Sequence, residues 1–600
     1  MEPGKVHGIT VDYSRDGLFD DLGIKRLQES YMKEDEASPQ ERFAYVSSIF
    51  GSNPDHAQRL YDYSSRHWLS YSTPILSFGR SKRGLPISCF LPYLDDSAEG
   101  LVSTLSEVNW LSMLGGGVGI GMGIRSADDK SVGIMPHLRT YDASSLAYRQ
   151  GRTRRGSYAA YLDVSHPDIL IFLDMRKPTG DPNMRALNLH HGINITDDFM
   201  QLIEKSMLDK NFDDTWQLKD PHSGEVKDTI SARELWQRIL ELRMQTGEPY
   251  IHYIDASNRA MPDFQKKLGL KIRQSNLCSE IILPTNKERT AVCCLSSLNL
   301  EYYDEWKNHD LFLKDVAEML DNVLQYFIDH APDSISRARF SAQRERSIGI
   351  GALGWHAYLQ CNNIPWESAM AVGRNNQIFK HIRTKLDAAN QELGRERGEA
   401  PDAQGTGQRF SHLMAIAPNA SSSIIMGNTS PSIEPLRANA YRQDTLSGSS
   451  LNKNKWLDNI IKEKCDANAK LDYNEIWSSI IANDGSVQHL DDVLDDWQRD
   501  VFKTAMEIDQ RWLIQHAADR QQYIDQAQSL NLFFRPDANV KYIHAVHFQA
   551  WKSGLKTLYY CRSEKIGKAD KVAKKIERQV IQEIDLKALA EGNDCLACEG

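Results

Sequence analysis

A chain of 600 residues, 41% hydrophobic and 25% charged, is that of a globular protein of one to three domains. Its formal net charge of −10 argues against a nucleic-acid groove as its main business, and it has no run of about 18 apolar residues that could span a membrane. Nine cysteines, an odd number, in a large chain that opens on "MEPGKVHGITVDYSRDG" argue against a stabilising disulfide framework and point to a reducing, cytoplasmic compartment.

Residues 1–72 read as an N-terminal helical region. "SPQERFAYVSSIF" sets Ser38 as a cap and Pro39 in the first turn. From 73 to 562 the pattern changes. Short apolar stretches that read as strands ("ISCFLP", "DILIFL", "HHGINI", "PYIHYID", "MAIAP") alternate with helical ones ("ARELWQRILELRMQT", "LKDVAEMLDNVLQYFIDHA"). This alternation predicts one large α/β unit, a barrel or a doubly wound sheet. A charged helical insertion occupies about 436–530. Residues 563–600 are rich in Lys, Glu, Asp and Ala and read as a flexible tail ending in "NDCLACEG".

Several motifs carry chemistry. Cys595 and Cys598 form a C-x-x-C at the end of the tail. With no second C-x-x-C to complete a zinc site, thiol exchange is the better reading. About 30 residues of linker give a coil size on the order of 30 Å. Cys89 ("LPISCFLP") and Cys293 ("TAVCCLSSLNL") lie in apolar runs, where a cysteine is usually a small buried hydrophobe. Cys278 differs. In "NLCSEI", Asn276 and Glu280 stand two positions to either side. An extended loop would project all three side chains one way, and a buried carboxylate beside a thiol needs a reason. "LGGGVGIGMGIR" (114–125) lacks the Gly-Lys-Ser/Thr of a P-loop and reads as backbone packed close to a ligand or another strand. "APNASSSIIMGN" (417–428) suits a turn entering a helix, with N–H groups and hydroxyls facing an anion or serving as an ordinary cap. Tyr559 and Tyr560 in "LYYCRS", read as strand, point to opposite faces.

Taken together, these residues resemble the large (α) subunit of class I ribonucleotide reductases. "STPIL", "ISCFLP", "GGGVGIGMGIR", "NLCSEI", "AVCCLSSLNL", "RSIGIGALG", "APNASSS", "QYIDQAQSLNLF", "LYY" and the terminal C-x-x-C occur in the family's order over nearly the whole chain. The resemblance implies a ten-stranded α/β barrel of two five-stranded halves with a finger loop inside, beside the N-terminal helical region. It implies reduction of ribonucleoside diphosphates, with Cys278 as a transient thiyl radical, Glu280 as general base on the 3′ hydroxyl and Asn276 orienting the ribose. Cys89 and Cys293 would be the reducing pair; the neighbouring Cys294 is set aside because the "x-LSSLN" spacing matches Cys293. Tyr559 and Tyr560 would carry the radical inward from a metal-containing small subunit, and Cys595 and Cys598 would re-reduce the interior disulfide and be reduced by a thioredoxin- or glutaredoxin-like protein. Substrate contacts map to Thr73, Ser88, Gly117, Asn276, Leu277, Ser279, Pro418, Asn419, Ala420, Ser421 and Ser422. Asp96 and Arg155 map to a specificity site where ATP or a deoxynucleoside triphosphate binds at a homodimer interface. No metal or tightly bound cofactor is expected on this chain. The family's N-terminal ATP-cone has no counterpart in the pattern, so on/off control by dATP through this chain is not expected.

Two rivals share parts of the pattern. A cobalamin-dependent reductase would keep the barrel and the cysteines, but the paired tyrosines favour the two-subunit reading. A catalytically silent nucleotide-binding partner would not need five thiols and two tyrosines together.

Overall fold

The computed structural model describes residues 4–81, 84–148, 157–445 and 448–563. Arg155, Cys595 and Cys598 lie outside them. The chain opens with a hairpin, Gly4–Val6 against Ile9–Val11. Three helices follow: α1 (Asp21–Ser30), α2 (Pro39–Phe50) and α3 (Pro54–Ser65). Each begins where a short polar side chain accepts from a first-turn N–H: Asp20 from Gly23, Ser38 from Gln40, Asn53 from His56. Ser38 and Pro39 act as their spacing predicts.

Ten strands form one sheet. In chain order they are β1 (Leu69–Tyr71), β2 (Cys89–Leu91), β3 (Tyr93–Asp95), β4 (Gly117–Gly123), β5 (Tyr158–Asp163), β6 (His190–Ile195), β7 (Tyr250–Tyr253), β8 (Ala291–Asn299), β9 (Ile348–Leu353) and β10 (Thr557–Leu558). β2, β4, β5, β6 and β7 are neighbours in parallel. β8 and β9 are parallel to each other and begin a second half. That half continues through irregular extended segments: Ile350 N donates to Leu413 O, and Ile416 pairs in parallel with Gln528. The halves meet antiparallel at β2–β8. At the other seam β10 pairs antiparallel with β7 while Tyr559 N, just beyond it, donates to Leu530 O. The sheet therefore curls into a barrel with helices outside, the architecture that strand-helix alternation predicts.

One stretch read as a strand is not one. "DILIFL" forms a helix, Ile169–Asp174, because its buried residues Ile169, Phe172 and Leu173 fall at i, i+3 and i+4 after a break at Pro167. Helix α4 (Phe312–His330) buries Phe312, Val316, Leu320, Val323 and Phe327 along one stripe. It is tied to α3 by an ion pair and a hydrogen bond: Arg59 and the Tyr63 hydroxyl both donate to the Asp315 carboxylate, at 2.7 Å each to Oδ2. The region after 436 contains a hairpin, Ala440–Thr445 with Gly448–Lys453, and several helices. Leu457, Ile461, Trp477, Ile480 and Phe502 form an apolar cluster of its own there. No helix among the described residues is long and apolar enough to cross a membrane.

Candidate active site

Period-two alternation sorts the strand residues into two compartments. On β8, Val292, Cys294 and Leu298 join the large core under the outer helices, while Ala291, Cys293 and Leu295 face a separate inner cluster. The same split puts Phe90 outside and Cys89 inside, and Tyr158 outside and Tyr161 inside. The inner cluster also holds Leu277, Cys278, Tyr250, Tyr559 and Tyr560.

The loop carrying Cys278 is inside the barrel because glycine lets it in. A Cβ on Gly119 would overlap Ser275 O and lie 2.7 Å from Asn276 Cα; one on Gly121 would lie 2.7 Å from Gln274 Oε1. The glycine-rich segment is thus β4 packed close to a loop, where a ligand or another strand was expected. The loop's base closes at Ile272–Pro284. Its tip is a turn: Ser279 has φ +67° and its N–H donates to Asn276 O at 3.3 Å. The expectation of an extended loop is therefore corrected, since a left-handed residue breaks the two-residue alternation. Asn276 Oδ1 accepts from Ile281 N at 3.1 Å across the turn.

Surrounding residues brace the loop. Tyr161 Oη donates to Asn276 O at 2.6 Å and lies 3.0 Å from Ser279 Oγ. Ser529 Oγ donates to Cys278 O and lies 3.1 Å from Glu280 Oε2. Ala527 N donates to Glu280 O, and Gln526 Oε1 accepts from Ile282 N at 3.1 Å. Asn276, Cys278 and Glu280 all have zero solvent exposure.

Tyr559 Oη lies 3.5 Å from Cys278 Sγ. The Tyr559 and Tyr560 rings are 4.4 Å apart, tilted by 52°. They share one compartment, which corrects the opposite-faces reading. β10 ends at Leu558 and the next strand begins at Cys561; between them Tyr560 N bonds the Asn531 side chain at 3.1 Å rather than a strand partner, so strand alternation does not apply. Tyr250 packs on both rings at 4.8 and 5.1 Å. Outward from Cys278, Tyr560 Oη is 3.4 Å from Nδ1 of the partly exposed His190, which lies 2.5 Å from Glu248 Oε1. Burial alone would raise the Glu248 carboxyl, but Arg176 and His190 hold it well below the usual range.

Cys89 and Cys293 are direct partners across the antiparallel β2–β8 pair, and Gly117 is in register beside Cys89. Side chains so paired stand on one face with Cβ atoms about 4.5–5.5 Å apart, within disulfide reach after small adjustment. Cys294, one residue on, points into the outer core. Burial pushes the Cys293 thiol up, opposed by hydrogen bonds from Gln526 (3.3 Å) and Ser347 (3.8 Å).

Thr73 opens a short helical turn, with Oγ1 3.3 Å from Tyr31 Oη. Ser88 O accepts from Gly117 N at 2.6 Å. At 418–422 the chain enters helix α5 (Ala420–Ile425) through Asn419 at φ +58°. Asn419 makes no side-chain cap; its amide reaches Ala352 O and Ala417 O, both at 3.1 Å, and Ser297 Oγ of β8 donates to its Oδ1 at 3.2 Å. Arg26 of α1 donates to Ser421 Oγ at 2.8 Å. Asp96 lies 3.6 Å from Arg125 and 3.3 Å from His222. Sequence reading missed Arg26, Tyr161, Tyr250, Gln526 and Ser529. Only "QYIDQAQSLNLF" hinted at the last two, through its resemblance, without assigning either a role.

Family models for the ribonucleotide reductase barrel domain match residues 87–406 and 401–561, and one for the ribonucleotide reductase all-alpha domain matches 17–84. The chain is 54% identical to the ribonucleoside-diphosphate reductase large subunit of Invertebrate iridescent virus 3, over 99% of this chain and all of that one. It is 32% identical to the ribonucleoside-diphosphate reductase large subunit of Caenorhabditis elegans, over 98% of this chain and 82% of that one. Among solved structures, an Actinobacillus ureae class Id ribonucleotide reductase alpha subunit matches at TM-score 0.81 and 34% identity, covering 92% of this chain and 98% of that chain.

Proposed function

Because this chain belongs to the ribonucleotide reductase large-subunit family, we propose that its inner cluster is the site where a ribonucleoside diphosphate loses its 2′ hydroxyl. The protein is a ribonucleoside-diphosphate reductase catalytic subunit, supplying DNA precursors and working with a small subunit. The observation that carries the site reading is the convergence of Cys278, Cys89 and Cys293 in one buried cluster, with Tyr559 Oη 3.5 Å from Cys278 Sγ.

In this reading an oxidising equivalent supplied by a radical-bearing small subunit enters by way of Tyr560 and Tyr559. Tyr559 takes the hydrogen atom of the Cys278 thiol, and the resulting thiyl takes hydrogen from C3′ of the ribose. Glu280 accepts the 3′ hydroxyl proton, held in place by Ser529. The 2′ hydroxyl leaves as water with a proton from one thiol of the Cys89–Cys293 pair. The other thiol's proton and the pair's two electrons put the replacing hydrogen on C2′ as the pair becomes a disulfide. Glu280 returns its proton to the 3′ oxygen, Cys278 returns the hydrogen to C3′, and the regenerated thiyl takes a hydrogen back from Tyr559. Burial keeps water from quenching the radical. Asn276, Leu277 and Ser279 form the wall under the ribose, with Thr73, Ser88 and Gly117 beside it. Pro418–Ser422 and Arg26 take the diphosphate. The tail pair Cys595 and Cys598 reopens the disulfide and is itself reduced by a thioredoxin- or glutaredoxin-like protein. Asp96 and Arg155 belong to an effector site for ATP or deoxynucleoside triphosphates in a homodimer.

The test is to combine the protein with candidate small subunits and measure reduction of ribonucleoside diphosphates. Activity is expected with a small subunit and absent in Cys278→Ser and Tyr559→Phe. Turnover surviving Cys278→Ser would sink the radical reading, and turnover with adenosylcobalamin alone would replace the two-subunit one.

A further inference from the structure

Gln526, three residues before Ser529, has no part in the reaction steps proposed for the site. It has zero solvent exposure, and its side chain spans the two centres of the site. Oε1 accepts from Ile282 N of the Cys278 loop at 3.1 Å. Nε2 lies 3.3 Å from each of Cys293 Sγ, Ser347 Oγ and Ile348 O. Ser347 Oγ is itself 3.8 Å from Cys293 Sγ. The backbone holding this amide is fixed: Gln526 N donates to Met414 O at 3.1 Å, and its carbonyl accepts from Gln521 at 2.9 Å and Lys556 at 2.8 Å.

Two donors aimed at a buried sulfur contribute little while that sulfur is a neutral thiol. They matter when it carries charge, because a bare anion in a dry wall is costly and a charge-assisted hydrogen bond is about twice as strong as a neutral one. One sulfur of a disulfide carries that charge each time the bond is opened by thiol exchange.

We propose that Gln526, with Ser347, is a positioning residue that receives Cys293 as the departing thiolate when the Cys89–Cys293 disulfide is reopened. The inference rests on the reducing-pair reading above. The step is a thiol–disulfide exchange. A reductant thiol loses its proton to solvent, and its sulfur bonds to Cys89 Sγ as the Cys89–Cys293 bond breaks. The bonding pair leaves on Cys293 Sγ, where Gln526 and Ser347 hold it until it takes a proton. A second reductant thiolate then displaces Cys89, closing the reductant's own disulfide, so that two electrons and two protons enter the pair. A lower-energy leaving thiolate leaves faster.

The test uses the full chain, oxidised with diamide, with the Cys89–Cys293 linkage verified by peptide mass. Reopening by dithiothreitol is then timed by quenching with an alkylating agent. Gln526→Glu keeps the acceptor for Ile282 N and removes the donor; Gln526→Met removes both. Both variants are expected to form the disulfide and reopen it roughly ten- to hundredfold more slowly than wild type, the value of a hydrogen bond to a charged group. Ser347→Ala is expected to be slowed a few-fold. Wild-type rates in the Gln526 variants overturn the proposal. A slowing confined to Gln526→Glu also overturns it, since that is charge repulsion. If Gln526→Met does not fold, as judged by its melting transition, Ser347→Ala decides: a wild-type rate there overturns it. No Cys89–Cys293 linkage in the oxidised wild type overturns the reducing-pair reading and this inference together, and is seen before any rate is measured.

Discussion

Cys293 and Cys294 are neighbours in sequence, on one strand, and both are essentially unexposed, yet they belong to different regions. Cys294 faces the outer core, where side chains such as Val292 and Leu298 pack under helices. Cys293 faces the barrel interior, where a partner cysteine stands across the strand pair and an amide and a hydroxyl point at its sulfur. The outer region is built for close packing. The inner one is built from polar groups held at fixed distances, through glycines that admit a loop and hydrogen bonds that hold it. Burial alone therefore says nothing of which cysteine reacts; the chemistry of what surrounds the sulfur does.

The largest effect is expected for Cys278→Ser. Turnover is expected to be lost entirely while the melting temperature barely moves, since one oxygen replaces one sulfur in a braced loop; steady-state assays and calorimetry check both. Next comes the neighbouring pair. Cys293→Ser is expected to stop multiple turnover with little change in stability. Cys294→Ser is expected to keep turnover and lose about 1–3 kcal/mol of stability, the cost of a hydroxyl with no hydrogen-bond partner among hydrocarbon. The opposite pattern in paired activity and denaturation measurements would reverse the two compartments. Gly119→Ala comes third. The added Cβ must displace the loop at Asn276, and a shift on the order of 1 Å costs about 10²-fold in kcat/KM, with stability a secondary readout. The smallest effect sits at the edge of the site. Arg26→Ala is expected to raise KM for the diphosphate substrate about tenfold, the low end for losing a hydrogen bond to a charged group, with kcat nearly unchanged. An unchanged KM would remove Arg26 from the diphosphate turn.

Much was legible in the sequence because it is local. Ser38 and Pro39 state a helix start, the stripe through 312–330 states a buried face, and strand-helix alternation states an α/β barrel or wound sheet. "NLCSEI" marked a thiol beside a carboxylate, and its order among the other motifs carried the family resemblance. Local rules failed where the backbone departs from regular geometry. "DILIFL" is apolar enough for a strand, but its spacing suits a short helix. Ser279 at φ +67° and the break at Leu558 ended the two-residue alternation that the expectations for Asn276 and Tyr560 relied on.

Spacing and residue type act over a few positions, so most element types, the residues that carry chemistry and the family were readable from the chain alone. Which cysteine faces which compartment, that Tyr559 reaches Cys278 with Tyr560 beside it, and that Gln526, Ser529 and Arg26 touch the candidate site residues emerged only from the tertiary structure. Those depend on contacts between residues far apart in the chain, Arg26 with Ser421 and Ser529 with Glu280 among them. Such contacts exist only once the barrel has closed.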